Sequence, residues 1–271
     1  MTPEAAEASN SRGTTVAIVQ ARMGSTRLPG KVLRDLEGEP MVIRQLHRLQ
    51  RAQTPDRIVV ATTIDAIDDV LAETVAAAGF EVVRGPVEDV LQRYVLAIEQ
   101  TNADVVIRLT ADCPLASPAV IDSVVARFHE SDADYVSNTM TPTYPDGLDV
   151  EVVAAPILRE VAVASTDSAE REHVTLGVYR HPDTYRIENF ADPLGRDNSQ
   201  LRWTVDSQED FDFVSQVYRG LLPSQPEFEY DDVLAWLEAH PDMNRTEGYA
   251  RRNAALDGLD TGAMQHRGAS S

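Results

Sequence analysis

Residues 15–31 read Thr15-Val16-Ala17-Ile18-Val19-Gln20-Ala21-Arg22-Met23-Gly24-Ser25-Thr26-Arg27-Leu28-Pro29-Gly30-Lys31. Thr15–Val19 is a short β-branched, apolar run bounded by polar residues, which predicts a buried strand. Gln20–Lys31 then carries two glycines, three cations (Arg22, Arg27 and Lys31) and no acid. The loop therefore leaves the carboxyl end of a strand, where open α/β sheets bind their ligands. Glycine permits close backbone approach, and backbone amides with clustered cations make an anion cradle. The spacing is neither a Walker A loop nor the dinucleotide glycine fingerprint. Lys31 is the only lysine among the 24 lysines and arginines. Its compact ammonium suits a single phosphate oxygen where a guanidinium is a broad fork.

This basic loop sits in a chain of formal net charge −20. A charge of that sign excludes a general nucleic-acid or membrane-surface binder, so an anionic ligand has to be captured locally. The single cysteine, Cys113, excludes an intrachain disulfide, and the six histidines form no metal-ligand spacing. No apolar run reaches the ~20 residues of a bilayer span, and the polar N-terminus lacks a signal-peptide core. The expectation is a cytoplasmic protein.

Outward from the opening strand, short apolar runs alternate with helical patterns. Strands are predicted at Thr15–Val19, Arg57–Thr62, Glu81–Arg84 and Asp104–Thr110, and helices at Met41–Arg51, Asp68–Ala78, Val87–Gln100 and Pro118–His129, the last N-capped by Ser117. That alternation predicts a mostly parallel sheet covered by helices. The second half reads differently, with strands at Asp134–Asn138, Leu148–Val153, Tyr185–Phe190 and Leu201–Val205. Helices are predicted at Pro156–Ala164, Glu170–Val178, Glu209–Gly220 and Asp231–Ala239. The reading is one catalytic domain, residues 14–245, with a mixed-sheet extension. A loose tail at 1–13 and a largely disordered one at 246–271 flank it.

Six further stretches carry polar or charged residues beside predicted strands and helices. They are Ile58–Thr63, Arg84-Gly85 with Asp89-Val90-Leu91, Arg108–Leu115, Tyr144–Glu151, Glu170–Thr175, and Leu201–Asp206 with Glu209-Asp210-Phe211. Together with Gln20–Lys31, seven motifs in order over residues 14–245, the chain resembles the SpsF-type spore-coat polysaccharide nucleotidyltransferases. These are relatives of the cytidylyltransferases that activate ulosonic and sialic acids. One departure is Ala111, where the pattern leads one to expect glycine.

The resemblance implies an α/β, Rossmann-like nucleotide-diphosphosugar transferase fold. It also implies a reaction in which CTP and an acceptor give a CMP-linked product and pyrophosphate. Such a transfer needs the triphosphate neutralised, the α-phosphorus polarised and the acceptor held in line. Arg22 and Lys31 are assigned as catalytic. Gln20, Ala21, Gly24, Ser25, Arg27, Thr62, Arg84, Asp89 and Arg108 are assigned to the nucleotide, with base reading given to Thr62, Arg84 and Asp89. One ammonium about 4 Å from a phosphate charge contributes on the order of 4 kcal/mol at an effective dielectric near 20, before desolvation. Asp112 and Asp206, at the ends of two apolar runs, suit Mg²⁺; the competing role for each is capping the helix that follows. The acceptor, a sugar acid, sugar phosphate or phosphonate-like molecule, is assigned to Tyr144, Asp146, Asp149, Glu151, Arg171, Glu172 and His173. For Arg171 the competing role is an ion pair with Glu170 or Glu172. A homodimer follows only by analogy with the same relatives. Two other functions stay open: a glycosyltransferase using a preformed nucleotide sugar, and a non-catalytic nucleotide-binding subunit.

Overall fold

The structure, a computed structural model, describes residues 13–244. Almost all of both expected tails lies outside the described residues. The opening strand β1 (Thr15–Gln20) is the middle of a parallel set with β2 (Arg57–Thr63), β3 (Glu81–Gly85) and β4 (Val105–Thr110). Beyond β4 lie β6 (Glu151–Ala154), β5 (Tyr135–Ser137) and β7 (Ile187–Asn189), so the seven-stranded order is β3-β2-β1-β4-β6-β5-β7. β6 runs antiparallel to both its neighbours, whereas β5 and β7 pair in parallel. This is the mostly parallel sheet with a mixed extension that the sequence predicts.

The order of the strands decides where a ligand can sit. The chain steps from β1 outward to β2 and β3, then returns to lay β4 on the other side of β1. The connections leaving β1 and β4 diverge, and a crevice opens between them at their carboxyl ends. The basic loop leaves β1 at that point.

Alternation along β1 builds two apolar layers. Ala17 and Val19 face a core shared with α1 (Met41–Leu49), α2 (Asp69–Ala77), α4 (Pro118–Glu130), α8 (Gln208–Leu221) and α9 (Tyr230–Ala239). Val16 and Ile18 face the other, with α3 (Val90–Thr101), α5 (Ala155–Ala164) and the short α7 (Leu176–Tyr179). A central strand clothed on both sides buries every apolar side chain it has, and each is worth about 1.5–3 kcal/mol. This is why Thr15–Val19 reads as an unbroken β-branched run.

Two predicted elements differ. Leu201–Val205 pairs in no ladder; it forms one isolated bridge, Asp146 with Arg202. Its backbone serves loops instead: Asp146 N–H donates to Leu201 O, Trp203 N–H to Asp146 O, and Val205 N–H to Asp112 O. Burial of Leu201, Trp203 and Val205 mimics a strand because the segment is wedged between those loops. The predicted helix Glu170–Val178 is broken into α6 (Ser168–Glu172) and α7. Val174 takes a φ of 32°, sterically costly for a β-branched residue, and its side chain is wholly buried. Packing of Val174 therefore overrides helix continuity and turns His173 out of the helix.

Candidate active site

The basic loop folds on its own carbonyls. Met23 O accepts from both Ser25 and Gly30 N–H at 2.9 and 3.1 Å, and Gly30 adopts a φ of 69° that starts the 3-10 turn Lys31–Leu33. The left-handed glycine reverses the chain and returns Lys31 to the crevice. Another anchor comes from the 3-10 turn after β2 (Ala66–Asp68): Asp68 accepts from Met23 N–H at 2.6 Å and from the hydroxyl of Thr63 at the end of β2. Asp68 is buried, and the loop is tied to the sheet both by this carboxylate and by Ala21 N–H, which donates to Ala61 O at 3.1 Å.

The loop delivers Lys31 between two aspartates. Its Nζ donates to Asp112 Oδ2 at 3.1 Å, to Asp206 Oδ1 at 3.1 Å and to Val205 O at 2.7 Å. Asp112 lies just past β4, and its carbonyl accepts from Val205 N–H, which draws Asp206 alongside. Neither aspartate caps a helix: α4 is capped by Ser117 and α8 by Ser207, which forms a capping box with Asp210. Burial alone would lower the Lys31 pKa, but the two carboxylates outweigh it and hold the ammonium above its ordinary value. Burial would likewise raise Asp112, and Lys31 with Thr110 holds it below the usual carboxylate range. Ala111 is accommodated because this turn needs no positive φ.

Asp206 is the more heavily neutralised of the pair. Its Oδ2 accepts from Arg202 Nη2 at 2.6 Å and forms an ion pair with Arg27 Nη2 at 3.0 Å. Arg202, only 3 % exposed, also pairs with Asp146 and approaches Asp210 at 4.0 Å. Asp146 thus acts behind the site, bracing Arg202. Gly147 beside it has a φ of 110°, and a Cβ there would meet Thr204 N at 2.7 Å, so only glycine lets this loop lie against 203–204.

The crevice has a volume of about 360 Å³, within the range of small-molecule sites. It brings together Gln20, Ala21, Arg22, Gly24, Ser25, Arg27, Lys31, Arg108, Asp112, Asp206, Glu172 and His173. Arg22 is exposed, with no ion pair among the described residues. Arg108 faces Glu151 directly across the β4–β6 register and pairs with it, while its Nη2 donates to Gln20 Oε1 at 3.2 Å. Burial lowers the His173 pKa, so the imidazole is neutral at pH 7.

The remaining predicted residues lie off the crevice lining. Thr62 is wholly buried. Arg84 donates to Thr63 O and Asp65 O and pairs with Asp69. Asp89 caps α3 through Gln92 N–H at 2.9 Å and pairs with Arg171 Nε at 2.6 Å. Arg171 also donates to Ala162 O and Ser165 O, so its ion pair crosses to α3 rather than joining Glu170 or Glu172. Tyr144 belongs to the apolar core, its ring stacked with Phe190 and tilted against Tyr230. Glu151 is a buried acceptor for Arg108, Tyr135 and Thr175. Asp149 is half-buried; burial first, then Asp112, and only then Asp149 push the Cys113 thiol pKa up. Thr26, Val87, Glu88, Val90, Arg93 and Thr110 join the lining without having been assigned there. Arg93 had a legible signal, a cation on the buried stripe of α3 beside Leu91, Tyr94, Ala97 and Ile98.

Could this crevice hold a divalent metal? Among the described residues no three His, Cys, Asp or Glu side chains converge as a metal cage. Two carboxylates whose oxygens share one ammonium do converge, and Mg²⁺ is commonly held by one or two carboxylates plus ligand phosphates. The donor set fits a metal brought in with a polyphosphate.

The switch-point crevice thus joins a cationic loop to a pair of carboxylates, in a chain whose family is that of nucleotidyltransferases. The comparisons agree. The chain belongs to the cytidylyltransferase family, whose description matches residues 16–232. It is 34% identical to the spore coat polysaccharide biosynthesis protein SpsF of Bacillus subtilis, over 83% of this chain and 94% of that one. It is 32% identical to the 3-deoxy-manno-octulosonate cytidylyltransferase of Chlorobaculum tepidum, over 65% and 68% of the two. A solved cytidylyltransferase from Leptospira borgpetersenii superposes with a TM-score of 0.80 at 30% identity, covering 85% of this chain and 96% of that one. Among the described residues no helix is long and apolar enough to cross a membrane.

Proposed function

We propose that the protein transfers CMP from CTP to a sugar acid, sugar phosphate or phosphonate-like acceptor, with release of pyrophosphate and with Mg²⁺ as cofactor. The observation that carries this reading is the convergence of Lys31, Asp112 and Asp206 in the lining of the crevice, in a chain of this family. Arg22 and Arg27 receive the β- and γ-phosphates, being the exposed cations of the loop. Lys31 turns from the carboxylates to the α-phosphate or the leaving pyrophosphate, where negative charge develops. Asp112 and Asp206 would hold Mg²⁺, which when bound polarises phosphate oxygens and orients the triphosphate.

The acceptor enters along the wall formed by Glu172 and His173. A neutral imidazole can take the acceptor hydroxyl proton at a ring nitrogen as that oxygen bonds to the α-phosphorus. The α–β bridging P–O bond breaks in the same displacement, and the electron pair leaves on pyrophosphate. The broken helix after Glu172 matters here because it frees His173 to face the crevice. A sugar-acid acceptor is supported by the relative named for 3-deoxy-manno-octulosonate, and a polysaccharide precursor by the SpsF relative.

The test is thermal stabilisation by Mg²⁺ with CTP, UTP, GTP, ATP or a UDP-sugar, followed by pyrophosphate release across an acceptor panel. Selective, Mg²⁺-dependent stabilisation by CTP is expected; at ~100-fold its dissociation constant a ligand adds about 2.7 kcal/mol. Stabilisation by the UDP-sugar alone would replace this reading with a sugar transferase.

A further inference from the structure

The side chains expected to read the nucleobase are committed elsewhere: Thr62 is buried, Arg84 is tied to the 63–69 turn, and Asp89 caps α3 while holding Arg171. The turn that joins β3 to α3 nevertheless forms a wall of the crevice, through Val87 and Glu88, and α3 continues it with Val90 and Arg93. We infer that Glu88 and Arg93 select the nucleobase, reading cytosine and rejecting uracil. The inference rests on the CTP reading and deepens it.

The turn is held from both ends. Asp89 closes it onto α3, and Arg93 Nη1 donates to Pro86 O at 2.6 Å and to Val87 O at 2.9 Å. Between these anchors Glu88 is exposed, with no hydrogen bond or ion pair among the described residues. An unpaired carboxylate would be repelled by phosphates, so in a crevice for a polyanion it belongs at the end away from them. There it can only accept hydrogen bonds. Arg93 is the complement. It is 2 % exposed, has no ion pair among the described residues, and its Nε is buried without a partner. A buried guanidinium offers donors only and is costly to leave unsatisfied.

One acceptor-only group beside one donor-only group matches one pyrimidine. Cytosine presents an amino donor at position 4 and acceptors at N3 and O2, and carboxylates accept from that amino group. Uracil presents an acceptor at position 4 and a donor at N3, so Glu88 would face an oxygen and Arg93 an N–H. Val87 and Val90 supply apolar contact for the ring.

The experiment compares Mg²⁺-dependent binding of CTP, UTP and inorganic tripolyphosphate by calorimetry to the wild type, Glu88→Gln and Arg93→Lys, with circular dichroism confirming each fold. An amide can accept or donate, so Glu88→Gln is expected to lower the CTP/UTP affinity ratio about tenfold while tripolyphosphate binding stays within about twofold. Arg93→Lys, losing the fork but not the charge, is expected to lower the same ratio. A wild type that prefers CTP alongside a Glu88→Gln protein with an unchanged ratio would overturn the inference and leave the CTP reading standing. A wild type that binds UTP as well as CTP would overturn both.

Discussion

Replacing Lys31 by alanine is expected to do more than stop turnover. Its ammonium is the sole cation within ion-pair distance of Asp112 among the described residues, whereas Asp206 keeps Arg27 and Arg202. Removing one partner of a fully buried pair costs ~3–5 kcal/mol. Asp112 and Asp206 retain 28 % and 21 % side-chain exposure, so a cost of roughly 2–3 kcal/mol follows. For a folded unit of this size that lowers the melting temperature by roughly 4–12 °C. The pH dependence has a definite sign. The folded-state pKa of Asp112 is depressed, so its contribution is present above the unfolded carboxylate value and lost as pH falls through the folded one. That of Lys31 is raised, so its contribution is present below the unfolded lysine value and lost as pH climbs through the folded one. The gap between wild type and variant is therefore widest between about pH 4 and pH 10 and closes towards strong acid. Millimolar Mg²⁺ without nucleotide should restore much of the loss in the variant, replacing the ammonium between the carboxylates, while barely moving the wild type. Differential scanning calorimetry at pH 7, with and without Mg²⁺, measures both effects. A variant melting within a degree of wild type, or equal stabilisation of both by Mg²⁺, would refute the reasoning.

Two further outcomes follow from the same geometry. Asp68→Ala should weaken CTP binding by removing the acceptor of Met23 N–H, a charge-assisted hydrogen bond worth about 1.5–3 kcal/mol; calorimetric affinity measures it, and unchanged binding would remove Asp68 from the loop's support. His173, depressed chiefly by burial, should make the protein less stable as pH drops through 6.5, because the unfolded chain takes up a proton that the folded one resists. The urea midpoint at pH 7.5 and pH 5.5 should therefore differ less for His173→Gln than for the wild type.

Much of the architecture is legible from local pattern, because a strand buried on both faces leaves its own mark. β1, β2, β3 and β4 appear within a residue or two of their predicted bounds, and the helices between them follow from apolar spacing. The site is legible where it lies on one continuous stretch: the basic loop, Lys31 included, lines the crevice as a unit. Burial misleads where a segment is enclosed by loops, as at Leu201–Val205, since solvent exclusion gives the same periodicity with or without a ladder. Residue type misleads for Arg171 and Asp89, because a cation and an acid 82 positions apart look equally free for a ligand or for each other.

What the sequence by itself determined is therefore the strand-and-loop unit, the family and the chemical character of the basic lip, all encoded by neighbours in the chain. What only the tertiary structure decided is which charges remain for a ligand. Lys31 meets Asp206 across 175 positions, and Asp89 is spent on Arg171 while Glu88 beside it stays unpaired. Coulombic partnership falls off with distance in space and takes no account of separation along the chain. The division of charges between scaffold and site is thus settled only when the sheet has brought its strand ends together.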